Sequence, residues 1–109
     1  MRLTPTQINT INSTAQAVLG EGARVTLFGS RVDDQARGGD VDLMIEVPQA
    51  LAEPALMSAQ IASHLSRAFE GWHVDVLLKA PNLQELAIHR VAAQQGVPLC
   101  RWLRQSWAP

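Results

Sequence analysis

The chain has 109 residues, 47% of them hydrophobic and 17% charged, a balance that suits one compact globular domain spanning 1–109 and excludes disordered and fibrous classes. The formal charge of −1 and pI near 6.3 give no overall basic field of the kind non-specific nucleic-acid binding relies on, so no direct nucleic-acid binding is expected. The lone Cys100 cannot form an internal disulfide, the N-terminus has no apolar signal core, and no apolar run approaches membrane-spanning length; the expectation is a cytoplasmic protein with no membrane partner.

Thr4-Pro5-Thr6-Gln7 reads as a capping box with proline at the first helical position. Ile8, Ile11, Ala15, Val18 and Leu19 then recur at helical spacing until Gly20, which predicts an amphipathic helix. "ARVTLFG" reads as a short strand, with Val25 and Leu27 alternating against Arg24 and Thr26. "VDLMIEV" predicts a second strand stopped by Pro48; its alternation sets Val41, Leu43, Ile45 and Val47 on one face and Asp42, Met44 and Glu46 on the other, with Asp40 falling on that second face. Pro54 can open another helix, striped with Met57, Ile61, Leu65, Ala68 and Phe69 and broken at Gly71. "WHVDVLLKAP" predicts a third strand, with His73, Asp75 and Leu77 sharing a face. Asn82 and Glu85 form a further capping pattern for a helix through about Gln95, ended by Gly96, and "VPLCRWL" predicts a last short strand. The order helix, strand, strand, helix, strand, helix, strand implies a small mixed β-sheet flanked by helices, an α/β or α+β design.

A carboxylate on an otherwise apolar strand is costly to bury unless it is paired or holds a metal. This chain has three: Asp40 and Asp42 on one strand, and Asp75 on another. Residues two apart on a strand share a face, so Asp40 and Asp42 can converge on the same cations, and Asp75 joins them if its strand lies alongside. Three acids so placed suit a two-cation phosphoryl-transfer site, whose ions lie roughly 3.5–4 Å apart. Gly29-Ser30, directly after the first strand, supplies a backbone able to turn tightly against phosphate oxygens and a hydroxyl donor. Arg31 either contacts phosphate or neutralises Asp33 or Asp34. Gly38-Gly39 would keep the approach to Asp40 open. Glu46, further along the strand, reads as solvated. His73 shares the face of Asp75 and reads as a packed or surface residue with some reach toward a substrate, while His64 and His89 read as surface or edge positions on helices and Cys100 as inert core. Trp102 and Trp107, near Arg101 and Arg104, suit a partner surface, and Trp102 equally suits the core.

The string Gly29-Ser30-Arg31, a loop, Asp40-Val41-Asp42-Leu43 and the third aspartate in "VDVLL" resembles the minimal nucleotidyltransferases (MNT) of the DNA polymerase β-like superfamily, over nearly the whole chain. Family members are often encoded beside a HEPN-domain protein, and the resemblance implies the antitoxin of a HEPN/MNT toxin–antitoxin pair, assembled as a hetero-oligomer with its toxin. It further implies transfer of AMP from ATP to a tyrosine hydroxyl of the HEPN ribonuclease. Gly29, Ser30 and Arg31 would then bind the nucleotide, Asp40 and Asp42 both Mg2+ ions, and Asp75 the catalytic ion while helping to deprotonate the incoming hydroxyl. Many relatives read Gly-Ser-Arg-Ala-Arg-Gly where this chain has Val32-Asp33-Asp34 after Arg31, and many have serine where it has Gly39. Two other readings compete: a nucleotide-holding antitoxin that works by contact alone, and a small-molecule nucleotidyltransferase, for which the short chain offers no second domain.

Overall fold

The computed structural model describes residues 3–28 and 40–99, with Asp40 described in its backbone only. Its elements follow the expected order: α1 (Pro5–Leu19), β1 (Arg24–Phe28), β2 (Asp40–Glu46), α2 (Pro54–Ala68), β3 (His73–Lys79), α3 (Ala87–Gln95) and β4 (Val97–Pro98). The fold is α+β.

α1 begins as the sequence predicts. The Thr4 hydroxyl accepts from the Gln7 N–H at 3.1 Å, and the Thr4 N–H donates to Gln7 Oε1 at 2.9 Å. Two of the otherwise unpaired amides of the first turn are thereby satisfied. Ile8, Ile11, Ala15 and Leu19 face inward, and Asn12, also buried, donates its amide to the Ile8 carbonyl at 3.1 Å.

The strands form one sheet in the order β3-β2-β1-β4. β1 runs antiparallel to β2 and to β4, and β2 runs parallel to β3. Parallel neighbours require a crossover, and α2 supplies it. One sheet face carries Val25, Leu27, Val41, Leu43, Ile45, Val74 and Leu78, which join the inward residues of α1 and α2, Ile61 and Leu65 among them, in a single buried cluster. Each such side chain contributes about 1.5–3 kcal/mol by leaving water. On the opposite face Met44 is buried, and α3 approaches β1 so closely that Gly96 lies against the Thr26 side chain.

α2 ends in a tight turn. The Gly71 N–H donates to the Ser66 carbonyl at 2.7 Å and the Glu70 N–H to that of Arg67 at 3.3 Å, the paired bonds of a Schellman motif. Its left-handed positions are Glu70, with φ 59°, and Gly71, with φ 88°. Trp72 then packs against Phe69, ring centroids 5.4 Å apart, and β3 starts at the next residue.

Two local expectations are corrected. Asn82 does not cap α3: its amide makes two hydrogen bonds to the Leu51 backbone, accepting at 2.9 Å and donating at 2.8 Å, and the helix starts five residues later, at Ala87. His89 is not a surface residue; it is 3% exposed. Its Nδ1 accepts from the Leu86 N–H at 2.9 Å, which leaves the proton on Nε2 to be donated to the Leu78 carbonyl at 3.0 Å. The Val76 carbonyl, on the same outer side of β3, accepts from Ser58 Oγ at 3.3 Å. Within the expected last strand only Val97–Pro98 pairs among the described residues. No helix among the described residues is long and apolar enough to cross a membrane.

Candidate functional site

The register of β2 against β3 decides which of the strand carboxylates meet. Asp42 is the Cα partner of Asp75, and Asp40 that of His73. Neighbouring strands lie about 4.8 Å apart, so the side chains of Asp42 and Asp75 stand side by side on the face opposite the core. Val41 and Leu43, which flank Asp42, are fully buried on the other side. Asp42 is half-buried and Asp75 exposed. Like charges directly opposite across a ladder repel, and carboxylate oxygens in that arrangement suit a hard divalent cation such as Mg2+.

Asp42 has a second neighbour. Phe28, the last residue of β1, is its register partner on the other side, and Gly29-Ser30 follows Phe28 directly. β1 therefore ends beside the acidic pair, and the predicted phosphate-binding segment is the next stretch of sequence. Gly29, Ser30 and Arg31 themselves, with Asp33, Asp34 and Gly38-Gly39, lie outside the described residues, as do Cys100, Arg101, Trp102, Arg104 and Trp107. Among the described residues no group of three or more His, Cys, Asp or Glu side chains is placed to hold a metal ion. The described part of the expected ligand set is the Asp42–Asp75 pair, with the backbone of Asp40 at the adjoining position of β2.

His73 adds a contact that alternation alone could not specify. Its Nε2 lies 3.1 Å from Asp75 Oδ1, and the two side chains are 70% and 64% exposed. The shared face was legible from the spacing of two; the bond was not, because it depends on rotamers. At the far end of this face Lys79 lies 4.0 Å from Glu46 and 3.5 Å from Glu85, and Arg90 is 3.5 Å from Glu85. Glu46 is thus an exposed surface residue, as expected, and takes no part in the acidic pair. His64 is exposed and lines a groove of about 670 Å³ between α1 and α2, together with Ser13, Ala17, Gln60 and Arg67. The sheet separates that groove from Asp42 and Asp75, and no carboxylate lines it among the described residues.

No known family profile matches the chain, and no curated protein sequence matches it. Several solved chains share its fold. One is a chain from the structure of tri-AMPylated Shewanella oneidensis HEPN toxin in complex with MNT antitoxin, 19% identical, with a TM-score of 0.61 over 86% of this chain and 69% of that one. Another is a chain from a crystal structure of a toxin–antitoxin with AMP-PNP, 22% identical, with a TM-score of 0.64 over 84% of this chain and 71% of that one. At these identities the likeness is one of fold, and it agrees with the resemblance carried by the Gly-Ser and aspartate motifs.

Proposed function

We propose that this chain is a minimal nucleotidyltransferase antitoxin, which moves AMP from ATP to a hydroxyl, expected to be a tyrosine's, of a partner HEPN ribonuclease toxin and so silences it. The observation that carries the reading is the one-to-one register of Asp42 with Asp75 beside the end of β1, where Gly29-Ser30 begins. The fold neighbours support it from outside: one comes from a complex whose toxin bears three AMP groups, and another from a complex with an ATP analogue.

Asp40, Asp42 and Asp75 would hold two Mg2+ ions, which when bound supply positive charge to the triphosphate and the attacking oxygen. Gly29 and Ser30 would donate hydrogen bonds to the triphosphate, with Arg31 beside them. In the transfer, the acceptor hydroxyl gives up its proton with help from Asp75, its oxygen bonds to the α-phosphorus, and the bond from that phosphorus to pyrophosphate breaks. The toxin would complete the acceptor side of the site, making a hetero-oligomer.

One sequence feature favours a second reading. Asp33 and Asp34 add negative charge to the loop expected to face the triphosphate, which suits an antitoxin that blocks its partner by contact without turnover. Mass spectrometry of the HEPN partner, incubated with the chain, ATP and Mg2+, separates the two. A gain of one or more AMP masses is expected with wild type, and Asp42→Asn or Asp75→Asn is expected to lower kcat by more than about a hundredfold, since each removes several kcal/mol of charge stabilisation. Circular dichroism should show both variants folded. An unmodified partner that nevertheless binds and loses its nuclease activity would replace transfer with the contact reading.

A further inference from the structure

The transferase reading leaves one contact at the acidic pair without a role. His73 Nε2 sits 3.1 Å from Asp75 Oδ1, within hydrogen-bond distance. An exposed side-chain contact of this kind adds only about 0–1 kcal/mol to stability, so it does little to hold the fold together. What it does constrain is the carboxylate. An exposed aspartate turns freely about its last torsion, whereas a ring N–H donated to one oxygen fixes the plane of the group and leaves the second oxygen available.

The placement of His73 follows from the chain around it. The Glu70–Gly71 turn sets where β3 begins, the Trp72 ring is seated on Phe69, and the β2–β3 register sets His73 beside Asp40 while Asp75 is beside Asp42. Positions 40, 42, 73 and 75 thus form a two-by-two patch in which three are the expected cation ligands and the fourth is an imidazole bonded to one of them.

We infer that His73 is a positioning residue for AMP transfer, holding Asp75 Oδ1 through its Nε2–H so that the other oxygen of Asp75 meets the incoming hydroxyl and the cation in a fixed orientation. This rests on the transferase reading above. Partners that orient a ligating carboxylate are typically worth about 10–100-fold in metal affinity or activity.

The test is steady-state AMP transfer to the HEPN partner by wild type, His73→Ala and His73→Gln, joined to imidazole 15N–1H spectra of the chain alone. His73→Ala is expected to lower kcat about tenfold with the KM for ATP nearly unchanged and the thermal midpoint unmoved. His73→Gln, which keeps an N–H donor, is expected to recover most of the loss. In the spectra, Asp75→Ala should shift the ring signals of His73 and leave those of His64 and His89 in place. Equal kcat for His73→Ala and wild type, a glutamine variant no better than alanine, or unshifted His73 signals would each overturn the inference while wild-type transfer leaves the transferase reading standing. Absence of transfer by wild type overturns both.

Discussion

His89 shows how one side chain can be misread from its neighbours in sequence. It falls on a helix whose other faces carry Arg90 and the half-exposed Ile88 and Val91, so periodicity gives no reason to bury it. The structure buries it because two backbone groups need it: the Leu86 N–H at the start of α3 and the Leu78 carbonyl on β3. The first partner lies three residues away and is a local capping arrangement. The second is eleven residues away and visible only in three dimensions. Replacing His89 with alanine leaves a donor and an acceptor unpaired, and a cost of about 3 kcal/mol is expected, read as a lower urea midpoint with an unchanged slope. Asp42 and Asp75 are the opposite case. Their types and spacing pointed to a site, because a carboxylate on an apolar strand is costly unless it is paired or binds a cation, yet their one-to-one pairing came only with the register.

At the scale of elements, the helix starts and stops that depend on local chemistry were legible, and those that depend on distant partners were not. Thr4, Pro5 and Gln7 closed their capping box as written. Asn82 and Glu85 offer the same pattern, but the Asn82 amide is taken by Leu51, 31 residues away, and Glu85 lies near Lys79 and Arg90. The α2 terminus combines both situations: Gly71 was expected to break the helix, but the first left-handed residue is Glu70. A side chain there costs about 1–2 kcal/mol, partly offset by the extra flexibility that glycine would bring to the unfolded chain, about 0.5–1 kcal/mol. Glu70→Gly is therefore expected to stabilise the protein by roughly 0.5–1 kcal/mol. Gly71→Ala should do the reverse by about 1 kcal/mol, through backbone strain alone, since an added Cβ would meet nothing within 4 Å. Thermal unfolding of the two variants side by side checks the sign of each.

For the molecule as a whole, the alternation of Val25 and Leu27, Val41 to Val47 and Val74 to Leu78 identified the face that packs on α1 and α2, because burial on one side of a sheet imposes period two on any sequence that supports it. Strand order was not encoded that way; it follows from the α2 crossover and from β4 joining β1. The core those elements share rests on residues such as Ile61, fully buried in α2. Ile61→Ala is expected to cost about 2–5 kcal/mol and to lower Tm by roughly 10 °C or more. The bonds that His89 and Ser58 make to β3 also bear on how this protein meets others. Sheets recruit foreign strands through rows of vacant amides and carbonyls at their flanks. Here the Leu78 and Val76 carbonyls on one flank are already occupied, and the strand on the other flank is two residues long and ends in a proline with no N–H to offer. Among the described residues, then, both borders of the sheet are poor templates for continuation into another chain, which guards against fibrillar stacking.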